Sequence, residues 1–539
     1  MAENPTGAQK QLEAVRSGYA WEAPCLDLGA ALDESGAHAD APVRVPLATL
    51  NRHGLVAGAT GTGKTKTLQA LAEQLSAQGV PVFLTDVKGD LSGISQPGED
   101  NPKVAERAQS VGQAWTPTAS PTEFYSLGGQ GPGVPVRATV TSFGPTLLAK
   151  VLGLNATQES SLGLVFHYAD SNGLALLDLK DLREVMVHLT SPEGKEELAG
   201  IGGLSKQTAG VILRELTTFA NEGADVFFGE PEFDTAELLR TTEDGRGVVS
   251  CLELAAVQQQ PRVFSTFLMW LLADLFQDLP EVGDAEKPNL VFFFDEAHLL
   301  FEDASKEFLD SIEQTVRLIR SKGVGIFFVT QSPKDIPTDV LAQLGNRVQH
   351  ALRAFTPDDA KALKAAARTY PRSEYDLEQL LTQLATGEAV VTVLSESGAP
   401  TPVAWTRMRA PQSLMKPAPV ADVEAAVSAS PLMGTYGQPV DRESAYELLR
   451  ARLDGPQGHS GAAEDHSVEH PDEPRQRRDE EPDERRRPEE GQRRTRQDEG
   501  GFLGSVMDNP AVRSMMRSAG TTLGREITRS LFGTSRRRR

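Results

Sequence analysis

Gly58-Ala59-Thr60-Gly61-Thr62-Gly63-Lys64-Thr65 follows the apolar run Leu55-Val56-Ala57 and precedes a stretch in which Leu68, Leu71, Ala72 and Leu75 share one helical face. Strand, glycine-rich loop, helix is the order that a phosphate-binding P-loop requires. Glycines let successive backbone N–H groups turn inward around phosphate oxygens, and the helix N-terminus adds partial positive charge. In such a loop Gly58, Ala59, Thr60, Gly61, Thr62 and Gly63 form the cradle, Lys64 reaches the β- and γ-phosphates of ATP, and the Thr65 hydroxyl ligates Mg2+. The bland alternative is a glycine turn with a solvated lysine; the strand and helix on either side count against it.

The alternation continues outward from this loop. Val82 to Thr85, Gly247 to Leu252, Asn289 to Phe294, Val324 to Thr330 and Ala389 to Leu394 read as buried strands, with helices between them at Val263 to Phe276 and Phe308 to Arg320. Near-continuous apolar strands separated by helices predict an α/β fold with a mainly parallel sheet covered on both faces. Residues 101–134 are rich in Pro, Gly, Ser and Thr and predict loops, and 145–220 predicts an α-helical insertion. The expected organisation is an N-terminal extension (1–45), a first core part (46–140), the insertion (141–240), a second core part (241–410) and a C-terminal helical segment (411–453). A charged linker (454–500) and a tail (501–539) follow.

Residues 464–499 hold fourteen acids, nine arginines and no lysine, a composition that cannot bury enough apolar surface to offset its ordering entropy and so predicts disorder. Beyond it Met515, Ala519, Leu523, Ile527 and Leu531 recur every four residues beside Arg513, Arg517, Arg525 and Arg529. That pattern predicts a basic amphipathic helix, suited to a protein partner, a membrane surface or nucleic acid.

The net charge of −21 over 539 residues disfavours a surface that binds nucleic acid everywhere, but leaves room for a local basic channel. No apolar run approaches the length of a membrane span, and Met1 to Gly18 lacks the apolar core of a secretory signal. Cys25 and Cys251, the two cysteines, lack metal-ligand spacing, and Cys251 reads as a small buried side chain. A reducing cytoplasm is the expected setting.

Three further groups extend the reading from nucleotide binding to hydrolysis. Asn289 to Phe294 ends in Asp295-Glu296: Asp295 at a strand tip can hold Mg2+, and Glu296 can polarise an attacking water. Phe327-Phe328-Val329-Thr330-Gln331 places Gln331 where it could report the γ-phosphate. Arg317, Arg320, Arg347 and Arg353 offer guanidinium groups for transferring phosphoryl charge, with Arg320 and Arg353 favoured. Asp86, Lys88 and Asp90 follow the second strand, where they could touch the nucleotide or cap the next element.

The run Arg52 to Thr65, together with Asp86-Val87-Lys88-Gly89-Asp90, Asp295-Glu296-Ala297-His298, Thr330-Gln331-Ser332-Pro333 and Asn346 to Arg353, resembles the HerA–FtsK superfamily of P-loop ATPases. Gly79-Val80-Pro81-Val82-Phe83 and the arginine-rich C-terminus look most like its bacterial YjgR group. The resemblance implies a RecA-like core, a ring of copies (usually a hexamer) and ATP-driven movement of DNA through its pore. It also implies an arginine supplied by the neighbouring subunit. HerA helicases carry an N-terminal β-barrel, for which about fifty residues before the loop look short. Asp-Glu-Ala-His also occurs in two-lobed helicases, but about 120 residues separate Gln331 from the charged linker, short for a second lobe of about 150. A single-core ring ATPase is therefore expected, with an ATP-dependent switch or assembly factor as the alternative.

Overall fold

The computed structural model describes residues 7–198, 202–283, 285–302, 304 and 306–453; the charged linker and tail helix expected over 454–539 lie outside the described residues. The described residues up to Leu449 belong to one compact unit, and the helix Ala445–Leu453 ends the described chain.

Twelve strands share one sheet: β1 Cys25–Asp33, β2 Gly36–Pro46, β3 Gly54–Ala57, β4 Val82–Asp86, β5 Thr122–Leu127, β6 Val134–Val136, β7 Val249–Glu253, β8 Leu290–Phe294, β9 Val324–Thr330, β10 Asn346–Gln349, β11 Glu388–Thr392 and β12 Ala404–Met408. Their order is β2-β1-β12-β11-β10-β3-β9-β8-β4-β7-β5-β6. From β10 to β6 every neighbouring pair is parallel. The pairs from β2 to β10 are antiparallel. The mainly parallel sheet is thus as expected, and an antiparallel wing extends it.

Both faces are covered, which explains why the central strands read as unbroken apolar runs. Leu55, Phe83, Phe292, Phe294, Ile326 and Phe328 point into one core with the helical insertion and the helix Pro261–Asp278. Val56, Val82, Leu84, Val291, Phe293, Phe327 and Val329 alternate with them into the other, where Leu68, Leu71 and Leu75 of the helix Lys64–Ala77 cover them. The insertion lies between β6 and β7 as five helices from Pro145 to Asn221. Asn155 and Asp178 close capping boxes at two of their starts, satisfying N–H groups that would otherwise lack partners.

Residues 101–134 differ from expectation: they hold a helix, Pro102–Ser110, and β5. Only Val104 and Ala108 of that helix are buried, a stripe too narrow to register as periodicity. Both outermost strands carry proline, Pro42 and Pro46 in β2 and Pro135 at the middle of the three-residue β6. Proline donates no ladder hydrogen bond and belongs on sheet edges.

Candidate nucleotide site

The loop 58–63 leaves β3 at the carboxyl edge of the parallel strands, the edge where ligands meet open α/β sheets. Gly63 caps the helix Lys64–Ala77 at φ 115°, a left-handed conformation that favours glycine. At Gly58 a Cβ would stand 2.5 Å from the His350 Cβ, so glycine is required by contact as well as by turn. Lys64 is buried and its Nζ donates to the Gly58 carbonyl at 2.7 Å and to that of Ala59 at 3.3 Å. Burial lowers its pKa, opposed by the Glu296 and Asp295 charges. Thr60 and Gly61 are exposed at the loop's crown, and Thr65 is half-buried.

Sequence reasoning did not foresee what stands behind the loop. His350, fully buried, lies 2.9 Å by Nε2 from the Thr67 hydroxyl and 2.8 Å by Nδ1 from the Glu388 carbonyl. The Gly387 N–H donates to the Thr62 carbonyl at 2.9 Å. Arg107 donates to the carbonyls of Gly387 and Thr386, each at 3.0 Å, from the helix Pro102–Ser110. Apart from the bond to Glu388, 38 residues on, these contacts span hundreds of residues of sequence and leave no local signal.

β8 delivers Asp295 and Glu296 to the same edge, both nearly buried. The Asp295 N–H donates to the Thr85 hydroxyl of β4 at 3.0 Å. Burial, reinforced by the Glu296 charge, pushes the Asp295 pKa up to about 7; a divalent cation beside it would reverse that. Glu296 adopts φ 46°, ψ 46°, a left-handed conformation costing about 1 kcal/mol or more in a residue with a side chain. Burial would raise its pKa, but an ion pair with Lys88 outweighs burial and holds it below the usual carboxylate range. Its other oxygen, Oε2, is buried 3.3 Å from His298 Nδ1 and accepts no hydrogen bond among the described residues.

The Asp86 carboxylate accepts the N–H groups of Gly89, Asp90 and Leu91 at 2.7, 3.1 and 2.8 Å, so it pins the turn after β4. Asp90 Oδ1 is a second buried oxygen without a partner among the described residues. Thr65 opens the helix Lys64–Ala77 and Asp295 follows the last residue of β8, and both offer hard oxygen donors of the kind Mg2+ takes. Cys251 is buried as expected, beside Glu253 and Asp86.

The expected residues divide between the two sheet edges. Gln331, exposed, follows β9 beside the loop, where the Gly58 N–H donates to the Thr330 carbonyl. Arg353, exposed, is two residues past Ala351, whose carbonyl accepts the Ala59 N–H at 2.8 Å. Arg320 precedes β9, seven residues long, so about 20 Å of strand separates it from the loop's edge. There Arg52, Arg317, Arg320 and Arg347 line a cavity of about 800 Å³ that, among the described residues, no Asp or Glu lines. Arg320 makes no ion pair among the described residues.

A family model described as Helicase HerA-like C-terminal matches residues 33–539. The chain is 23% identical over 359 residues to the DNA double-strand break repair helicase HerA of Sulfurisphaera tokodaii, covering 65% of this chain and 64% of that protein. The protein of the same description from Sulfolobus acidocaldarius is 22% identical over 354 residues, with the same two shares. The chain thus spans somewhat less than two thirds of the length of these relatives. Among solved structures, the unbound monoclinic form of the bacterial conjugative coupling protein TrwBdeltaN70 superposes with a TM-score of 0.51 at 14% identity, over 75% of this chain and 94% of that one. That likeness shows the fold, a RecA-like P-loop NTPase core.

Proposed function

We propose that this chain, which belongs to the family of HerA-like helicase C-terminal domains, binds ATP with Mg2+ in the loop Gly58–Thr65, hydrolyses it, and uses the energy to translocate or remodel DNA. The observation that carries hydrolysis is the convergence of Lys64 and the Asp295-Glu296 pair at one sheet edge, with Glu296 Oε2 buried and accepting no hydrogen bond among the described residues. Lys64 draws off phosphate charge, and Thr65 with Asp295 would hold the cation, which would supply further positive charge beside the phosphates. Glu296 orients and deprotonates the attacking water through Oε2. Gln331, at the tip of the strand between β3 and β8, reads the γ-phosphate.

DNA enters the proposal through the relatives described as DNA double-strand break repair helicases. Self-association enters through the arginines. Arg320 and its cavity lie at the edge opposite the chain's own loop, so they serve the nucleotide of a neighbouring copy in a ring, whereas Arg353 stands on the loop's own edge. The testing experiment measures ATP turnover with and without duplex DNA on protein whose assembly mass is determined in parallel. Turnover that DNA stimulates, with a stimulation that falls as salt rises, supports the motor. DNA-indifferent turnover replaces it with the ATP-dependent switch.

A further inference from the structure

Phe355 is 86% exposed, the only exposed aromatic side chain among the described residues. A ring left in water forgoes the burial of a large apolar side chain, and local packing does not recover it. Phe355 stands just before Thr356, which caps the helix Pro357–Ala367. An apolar residue at that position usually packs on the fourth residue of the helix; here that residue is Ala360, itself exposed.

The chain on either side of Phe355 is tied to the edge that carries the glycine-rich loop. β10 lies parallel to β3 with Gln349 opposite Ala57. The pairing runs on past the strands: the His350 N–H donates to the Ala57 carbonyl at 2.7 Å, and the Ala59 N–H to the Ala351 carbonyl at 2.8 Å. Four residues of chain, at most about 14 Å, separate Ala351 from Phe355. Beyond Phe355, Thr356 and Asp359 close a capping box, and Asp359 Oδ1 pairs with Lys334 at 3.6 Å. Lys334 belongs to the turn Pro333–Asp335 just past Gln331, where Asp335 accepts the Thr330 hydroxyl at 2.8 Å.

Strand order decides which end of a nucleotide faces Phe355. Glu296 and Gln331 follow β8 and β9 on one side of β3, and β10 lies on the other. A triphosphate whose γ-phosphate faces Glu296 and Gln331 therefore carries its nucleoside toward β10, the strand that leads to Phe355. Phenyl and purine rings attract through their π-faces, whatever the hydrogen-bonding edge of the base. Resting on the nucleotide-binding reading above, we infer that Phe355 stacks on the purine of a nucleotide held at Gly58–Thr65. The contact distinguishes a nucleotide from a bare triphosphate and discriminates weakly between adenine and guanine.

The test is equilibrium titration of full-length wild type, Phe355→Ala and Phe355→Tyr with ATP and with inorganic tripolyphosphate, which has the phosphates without the base, both in the presence of Mg2+. Loss of one stacked ring is expected to raise the Kd of Phe355→Ala for ATP about tenfold and to leave its Kd for tripolyphosphate unchanged. Phe355→Tyr keeps an aromatic face and should match wild type with both ligands. Unchanged ATP affinity in Phe355→Ala overturns the inference, and a fall in assembly mass beside it gives the ring to a neighbouring copy. Equal weakening of both ligands overturns it too, because that is damage to the loop rather than loss of a base contact. If wild type binds ATP no better than Lys64→Ala, the nucleotide-binding reading itself falls; if wild type binds ATP and Phe355→Ala matches it, only the stacking falls.

Discussion

Glu296 carries the largest consequence of any single side chain here. Glu296→Gln preserves shape and removes basicity, so it should retain ATP and lose turnover by about a hundredfold or more; single-turnover measurement on purified protein checks this, and wild-type rates would remove Glu296 from the chemistry. Lys64→Ala should weaken nucleotide binding itself, read by equilibrium titration. His350 and His53 titrate in a way that sets an acid limit on folding. Burial draws each pKa down to about 4, with further lowering from Lys64 on His350 and from Arg320 on His53. The unfolded chain then binds more protons below its histidine pKa of about 6.5, so stability falls as pH drops from there and levels off below about 4. Each histidine is expected to cost about 2 kcal/mol between pH 7 and pH 5, and His350→Gln should remove one such share from denaturant unfolding compared at the two pH values. At this scale the site was half legible. Lys64 and Asp295-Glu296 announce themselves because each adjoins an apolar strand, whereas the partner of Glu296 lies 208 residues away, at Lys88.

Among the elements, the helix Pro102–Ser110 shows why sequence patterning failed where it did. Two buried side chains, Val104 and Ala108, give no stripe, yet Arg107 on this helix braces the turn whose Gly387 N–H holds the Thr62 carbonyl. Arg107→Ala should therefore raise the KM for ATP several-fold at nearly constant kcat, because it loosens the loop without touching reacting atoms. An equal fall in kcat and kcat/KM would place Arg107 in the chemistry instead. β5 escaped notice for a related reason: Thr122, Glu123 and Ser126 interrupt its apolar residues, and the Arg240 ion pair makes burial of Glu123 tolerable. β3, β8 and β9, covered on both faces, are legible because every residue must be apolar.

For the molecule as a whole, the two edges of the parallel sheet carry different groups, the glycine-rich loop at one and the arginine cavity at the other. The proposed ring makes each copy incomplete alone, with its nucleotide on one edge and the four-arginine cavity on the other. Mixing Arg320→Ala subunits with Lys64→Ala subunits should restore part of the ATP turnover, since some interfaces then combine an intact loop with an intact arginine. No recovery would assign Arg320 a purely local role. The prolines of β2 and β6 carry a separate implication for handling the protein. A sheet of twelve strands ordinarily offers two long templates for aggregation, and here both rims are blunted. Backbone zippering of one copy onto another is thereby disfavoured, so concentrated solutions should resist fibril formation, which a dye-binding assay on aged samples checks.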